Sequence, residues 1–131
     1  MAELGLPKVK ADGFSFEPAL DSNSLRIEFT GNGDMTAIAP LADYLKQVHD
    51  EAQRLNVSDV TCDFRKLMFM NSSCFKAFVV WIDTVKNAGR RYKIHFLTDP
   101  SMHWQRRSLE ALRRLAIEIV SIDAQSPASA E

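Results

Sequence analysis

The residues of this chain that could catalyse a reaction or bind a metal are few and widely separated. The three histidines are His49, His95 and His103, and the two cysteines are Cys62 and Cys74. None of them follows the His/Cys spacing of a zinc site, and two cysteines are too few for a disulfide framework. The sequence therefore predicts no metal centre, no cofactor and no catalytic residues.

One catalytic arrangement stays open as an alternative. Cys74 lies near a predicted helix start, where the positive end of a helix dipole lowers a thiol pKa, and His95 or His103 could act as its base. The simpler interpretation is a packed core cysteine, because free cysteines are among the most buried residue types. We therefore predict that the chain is not an enzyme and keep a small thiol enzyme as an alternative.

A different chemistry is indicated at Asn71, Ser72 and Ser73. Their side chains are suited to accept hydrogen bonds from the unpaired N–H groups of a first helical turn, so the sequence predicts that a helix begins there. Phosphorylation of a serine at this position adds a charge of about −1.5 to −2 beside the positive end of the helix dipole. Such a serine can change the charge of a surface without unfolding it. The simpler role is helix capping alone.

The elements that position this helix start follow from the hydrophobic pattern. Period-two alternation predicts strands, and apolar residues at spacings of three and four predict helices. The Gly31-Asn32-Gly33-Asp34 segment is expected to end a strand. The predicted order is strands at 14–16 and 24–30, a helix at 36–55, a strand at 57–64, a helix from 71 to 85, a strand at 92–97, a helix at 104–115 and a strand at 117–122.

This alternation of strands and helices predicts an α/β fold with parallel, right-handed crossovers. A length of 131 residues suits one domain. We assign that domain to residues 14–122, with an N-terminal tail at 1–13 and a flexible C-terminal tail at 123–131. The tails are polar or rich in Pro, Ser and Ala, and they lack periodicity.

The segment from Thr61 to Phe78 resembles the STAS family, the sulfate transporter and anti-sigma factor antagonist domain. In that family a strand ends in Asp-Leu, an apolar pair follows, and Asp-Ser-Ser-Gly opens a helix. Here the matching segments are Asp63-Phe64, Phe69-Met70 and Asn71-Ser72-Ser73-Cys74. The resemblance implies a STAS-like mixed sheet of about four to five strands packed with about three to four α-helices.

The resemblance also implies a function. In bacterial members an anti-sigma factor with serine kinase activity phosphorylates the serine that follows the Asp of the motif, and a phosphatase reverses the reaction. That serine is Ser72 here. The expected partner-binding residues around it are Asn71, Ser73, Cys74, Lys76, Arg65 and Lys66. The chain departs from the motif at Asn71, which replaces Asp, at Cys74, which replaces Gly, and at Lys76, where a small residue is frequent.

These departures keep a second function open, an unphosphorylated STAS subunit that docks on the ATPase of a lipid or small-molecule transporter. Arg106, Arg107, Arg113 and Arg114 give the third predicted helix a basic surface, whose simplest role is solubility. The formal net charge of −1 argues against direct nucleic-acid binding. With no apolar leader or spanning segment, we expect a cytoplasmic protein that does not insert into membranes and is a monomer or weak dimer.

Overall fold

The chain forms one mixed sheet packed with three α-helices, described for residues 4–11 and 13–124 in a computed structural model. The elements are β1 (Val9–Ala11), β2 (Phe14–Asp21), β3 (Ser24–Gly33), α1 (Ile38–Leu55), β4 (Asp59–Met70), α2 (Ser72–Lys86), β5 (Lys93–Thr98), α3 (His103–Arg113) and β6 (Val120–Ala124). The strands are adjacent in chain order. β1 to β3 pair antiparallel and β3 to β6 pair parallel. The predicted α/β class is confirmed, with six strands in the described residues instead of four to five.

The three helices cover one face of the sheet, because each connects neighbouring parallel strands by a crossover of the same hand. The strands alternate accordingly: Leu25, Ile27 and Phe29 of β3 are at most 1% exposed and face the helices. The other face, which we call the open face, carries the intervening side chains. Its members include Arg26, Glu28, Asp63, Arg65 and His95.

Four phenylalanines fix α2 over the middle of the sheet. The Phe64 ring of β4 lies 5.3 Å from those of Phe29, Phe78 and Phe96, all in edge-to-face geometry. Phe78 is the member from α2, and all four rings are at most 1% exposed. Edge-to-face pairs add about 0.5–1.5 kcal/mol each beyond the burial of their area. This cluster holds the middle of α2 against the middle of β4.

The N-terminal boundary predicted at residue 14 is wrong. β1 lies inside the expected tail 1–13, where Val9 pairs with Phe16 of β2. Leu6 is buried, and the Tyr44 hydroxyl of α1 donates a hydrogen bond to the Pro7 carbonyl at 3.0 Å. At the other end β6 reaches Ala124, two residues past the predicted boundary. Most of the predicted C-terminal tail, 125–131, lies outside the described residues.

β3 ends within the Gly31-Asn32-Gly33-Asp34 segment, as predicted, but it runs to Gly33 and so extends past the expected end at residue 30. The pairing of β3 with β4 shifts register twice, between Glu28 and Thr30 and again between Gly31 and Asn32. Gly31 has a φ of +98°, and a Cβ there would lie 2.1 Å from the Gly13 carbonyl oxygen. Glycine at position 31 therefore permits the irregular pairing there. With these register shifts, β3 and β4 both extend to the same edge of the sheet.

Candidate functional site

The site is built where two neighbouring parallel strands end. Gly33 of β3 lies opposite Met70 of β4, and each strand is followed at once by a helix start. The Asn71 N–H donates a hydrogen bond to the Gly33 carbonyl at 2.8 Å and ties the two turns together. The start of α2 and the 3₁₀ turn that precedes α1 (Met35–Ala37) are therefore neighbours at one edge of the sheet.

Asn71 caps α2, as the sequence predicted. Its backbone is extended, and its side-chain oxygen accepts a hydrogen bond from the Cys74 N–H at 2.8 Å. The Phe75 N–H donates to the Asn71 carbonyl and closes the first turn. An amide satisfies this donor as an aspartate would, but it adds no negative charge. The dipole of α2 thus begins at a neutral cap.

Ser72 is the first residue of α2, and both Ser72 and Ser73 are exposed. Their N–H groups belong to the first turn, which has no intrahelical acceptors for them. A phosphate on the Ser72 hydroxyl would lie beside the positive end of a 15-residue helix. The position and exposure required for modification are present, while the modification itself stays a prediction.

Cys74 does not reach the surface, so its predicted contact with a partner is wrong. Its side chain is fully buried, and its thiol donates a long hydrogen bond of 3.7 Å to the Asp34 carbonyl. Burial raises the pKa of the Cys74 thiol, and the nearby Asp34 charge raises it further. The helix start was expected to lower that pKa, but desolvation dominates. A protonated, enclosed thiol does not serve as a nucleophile, which removes the support for the thiol-enzyme alternative.

Arg65 and Lys66 lie within β4, not in a connection after it, which corrects the sequence prediction. The Arg65 guanidinium holds Asp63 on the open face through hydrogen bonds of 3.0 and 2.9 Å, and Arg26 adds a third of 2.8 Å. Arg65 is therefore engaged within its own sheet and is not a contact at the start of α2. Lys66 is exposed and pairs with Glu28 at 3.6 Å.

Asp63 is a buried carboxylate that the sequence did not single out as charged. Its side chain is 2% exposed. Burial by itself would raise its pKa, but hydrogen bonds from Arg65 and the charges of Arg65 and Arg26 lower it below the usual range. The carboxylate is thus ionised and fully paired. Asp63, which matches the aspartate at the strand end of the family motif, therefore forms structural ion pairs on β4.

Exposed apolar side chains flank the helix start. Met35 in the 3₁₀ turn is 79% exposed, and Met68 and Phe69 at the end of β4 are 58% and 48% exposed. Asn32 pairs with Phe69, so the residues before both turns lie side by side. Large exposed apolar groups gathered near one site are typical of an interaction surface. Met35 was missed in the sequence because it lies between the glycine-containing segment 31–34 and the helix predicted from residue 36.

The histidines are separate, as predicted. His49 in α1 bonds to the Tyr92 hydroxyl at 2.8 Å, and His95 on the open face bonds to Asp59 at 2.7 Å and to Ser121 at 2.5 Å. These hydrogen bonds link Asp59 of β4, His95 of β5 and Ser121 of β6. Asp59 and Ser121 are 62 residues apart in the sequence, so no local pattern connects them. Among residues 4–11 and 13–124, no three His, Cys, Asp or Glu side chains are grouped so as to hold a metal ion.

Within the described residues, none of the α-helices is both long and apolar enough to cross a membrane.

Lys76 lies one turn after Ser72 and is exposed. The site at the start of α2 therefore combines a neutral cap, two exposed serines, one exposed lysine and a border of exposed apolar side chains. It has the composition of a protein-binding surface.

Comparisons with known proteins give structural neighbours only. No family model matches the chain, and no curated protein matches its sequence. An anti-sigma factor antagonist from Mycobacterium paratuberculosis matches with a TM-score of 0.63 and 12% identity over 81% of this chain and 85% of that one. The anti-sigma factor antagonist SpoIIAA in its unphosphorylated form matches with a TM-score of 0.52 and 17% identity, over 76% and 96%.

A third match is a chain from the complex of the diguanylate cyclase SiaD with its activator SiaC from Pseudomonas aeruginosa. Its TM-score is 0.62 and its identity is 15%, over 91% of this chain and 99% of that one. TM-scores of 0.52–0.63 establish a shared fold, and at identities of 12–17% the likeness extends to the fold alone. The fold expected from the resemblance is thereby confirmed.

Proposed function

We propose that this chain, which has the STAS-like fold of the anti-sigma factor antagonists, is a partner-switching regulator in the bacterial cytoplasm. Its partner is an anti-sigma factor with serine kinase activity. Phosphorylation of Ser72 by that kinase releases the partner, and a cognate phosphatase restores binding. The observation that carries the proposal is that Ser72 is exposed at the start of α2, where it directly follows the neutral cap residue Asn71.

The physical basis is an asymmetry between the chain and its partner. On the free chain, a phosphate at Ser72 is stabilised by the N–H groups and the dipole of α2, and it stays in contact with water. In a complex, the apolar border formed by Met35, Met68 and Phe69 would exclude that water. Desolvating an unpaired dianion costs several kcal/mol, about the difference between a micromolar complex and no complex.

The surrounding residues take different parts in this proposal. Ser73 and Lys76 are exposed and lie on the first two turns of α2, so they contact the partner directly. Asn71 acts through its cap, which sets the direction of the first turn. Lys66 lies at the rim, where its pair with Glu28 is open to solvent and contributes about 0–1 kcal/mol.

Phosphorylation and mass spectrometry test the modification itself. An anti-sigma factor kinase from the same genome, incubated with the chain and ATP, should transfer one phosphate, and tandem mass spectrometry should locate it on Ser72. Ser72→Ala should remain unmodified, whereas Ser73→Ala should be modified normally. Phosphate on another residue, or none with any kinase of this class, would refute the switch.

Calorimetry tests the consequence for binding. We expect Ser72→Asp to weaken binding to the kinase by at least about tenfold, or about 1.4 kcal/mol, and Ser72→Ala to preserve it. Ala111→Asp is a matched control, because it adds the same charge at an exposed position on α3. If Ser72→Asp binds as tightly as Ala111→Asp, charge at the start of α2 does not control the complex.

A second function remains supported by Asn71 and Cys74. A neutral cap removes the acidic residue expected before a phosphorylated serine, and Cys74 fills the first turn where a glycine is expected. Both suit an unphosphorylated subunit that docks on a transporter ATPase. Co-purification of such an ATPase with the chain, together with unmodified Ser72, would select this function over the kinase partner.

A further inference from the structure

A groove of about 610 Å³ runs between α1 and α2. The two helices follow successive parallel strands, so they run in the same direction. The lining residues extend from Ile38 and Ser73 at the helix starts to Asp50 and Thr84 further along. Because Ser73 follows Ser72 directly, the groove opens at the candidate phosphorylation site.

Two small residues create the groove. Ala42 of α1 and Ala77 of α2 line it one turn in from the helix starts, where neither side chain fills the space between the helices. The side chains of Leu45 and Trp81 lie beneath, only 2% and 3% exposed, and Val80 stands at the rim with 61% exposure. An open, apolar groove between two helices is the shape into which a third helix packs its side-chain ridges.

The charges around the groove select the occupant. Lys46 and Lys76 line it on opposite walls, and in the described part of the chain neither forms an ion pair with another residue. Asp50 is the acidic residue of the lining and lies at the end away from Ser72. The half of the groove nearest the candidate site is therefore positive, and it is complementary to carboxylates.

We propose that this groove binds an amphipathic α-helix of the partner protein. Apolar residues of that helix at spacings of three and four pack over Ala42 and Ala77, and flanking carboxylates pair with Lys46 and Lys76. This inference rests on the proposed function for the identity of the occupant, and it adds the means by which Ser72 controls binding.

The control follows from spacing on α2. Lys76 is four residues after Ser72, and an acidic group four residues before a lysine is the favourable orientation for an ion pair on a helix. A phosphate on Ser72 therefore pairs with Lys76 and withdraws it from the carboxylates of the partner helix. The same phosphate also repels those carboxylates at the mouth of the groove.

The test uses two synthetic helical peptides of about the length of α1. Both carry leucines at spacings of three and four, one with glutamates on its flanks and the other with lysines in their place. Titrated into the ¹⁵N-labelled chain, the acidic peptide should shift the amide resonances of Ala42, Ala77 and Val80. It should bind at least about tenfold more tightly than the basic peptide, as expected if both lysines are used.

Three pairs of variants locate the binding. Ala42→Trp fills the groove and should weaken the acidic peptide at least about tenfold, whereas Ala111→Trp on α3 should not. Lys76→Glu should weaken it and Lys10→Glu on β1 should not, so the test survives if Ala42→Trp fails to fold. Ser72→Asp should weaken the peptide, and Ala111→Asp should leave it unchanged.

Several outcomes would overturn the proposal. These are equal binding of the two peptides, resonance shifts confined to other surfaces, or a dimer of the chain that Ala42→Trp dissociates, since that dimer would assign the groove to a second copy. The peptide titration needs no kinase. Its failure would leave the Ser72 phosphorylation result standing, and a failure of phosphorylation would leave the groove result standing.

Discussion

The two helix starts at the carboxyl edge of the sheet differ in charge. The carboxylate of Asp34 accepts hydrogen bonds from the Thr36 N–H at 2.9 Å and from the Thr36 hydroxyl at 2.6 Å. At the start of α2, the uncharged amide of Asn71 makes the corresponding contact to the Cys74 N–H. The first start thus has a negatively charged cap of its own, while the cap of the second start is neutral.

This difference indicates which start can respond to phosphate. A new anion beside Asp34 would meet a like charge and disturb hydrogen bonds that are already made. A new anion at Ser72 would meet free N–H groups and Lys76. The replacement of the motif's aspartate by Asn71 therefore leaves the second start more receptive to an added charge, although it removes an acidic group from the surface proposed to contact a kinase.

Removing the cap of α2 should give the largest stability change of the comparison. Asn71→Ala deletes the acceptor of the Cys74 N–H, and a lost N-cap costs about 1 kcal/mol. For a chain of this size the Tm should fall by about 4 °C. Asn32→Ala, at an exposed position of β3, should leave the Tm unchanged. Equal melting of both variants would show that Asn71 does not stabilise the helix start.

Adding the same charge at each start should change stability in opposite directions. Ser72→Asp should raise the free energy of unfolding by about 0.3–1 kcal/mol, because the new carboxylate lies at the positive end of α2. Thr36→Asp should lower it, since the hydroxyl donor to Asp34 is lost and a like charge is added. Urea unfolding at low ionic strength measures both. Changes of the same sign would abolish the distinction between the two starts.

The sequence was sufficient for the features that depend on local pattern. Periodicity predicts the apolar stripe of α1 and the alternation in β3, because both patterns repeat within a few residues. Capping chemistry predicts the start of α2 at Asn71. The order of elements follows from these segments. β1 escaped prediction because three residues are too short to show a period and because its stability comes from pairing with β2.

The site needed three-dimensional information for its less obvious parts. Cys74 is buried because the 3₁₀ turn packs against α2, a contact between segments 40 residues apart. Arg65 was assigned to a connection because the preceding strand was predicted to end at Phe64, whereas the bulges let β3 and β4 extend together. The groove depends on Ala42 and Ala77 facing a common space, which no local pattern reports.

The smallest effect concerns the pH dependence of the charged start. The hydrogen bond from the Thr36 hydroxyl is the main cause that lowers the pKa of Asp34 below its usual range. A carboxyl whose pKa is lowered by folding stabilises the native state above its unfolded pKa, and this contribution disappears as the pH falls through its folded pKa. Asp34→Asn keeps an acceptor for the Thr36 N–H but removes the charge.

The free energy of unfolding of Asp34→Asn should therefore be lower than that of the unsubstituted chain at neutral pH. The two values should converge in acid, below the folded pKa of Asp34. Asp21→Asn, at an exposed position beside the β2–β3 turn, controls for the general loss of one negative charge. A difference that persists unchanged in acid would mean that the Asp34 carboxylate acts through its shape and not its charge, and the contrast with the neutral cap of α2 would then lose its electrostatic basis.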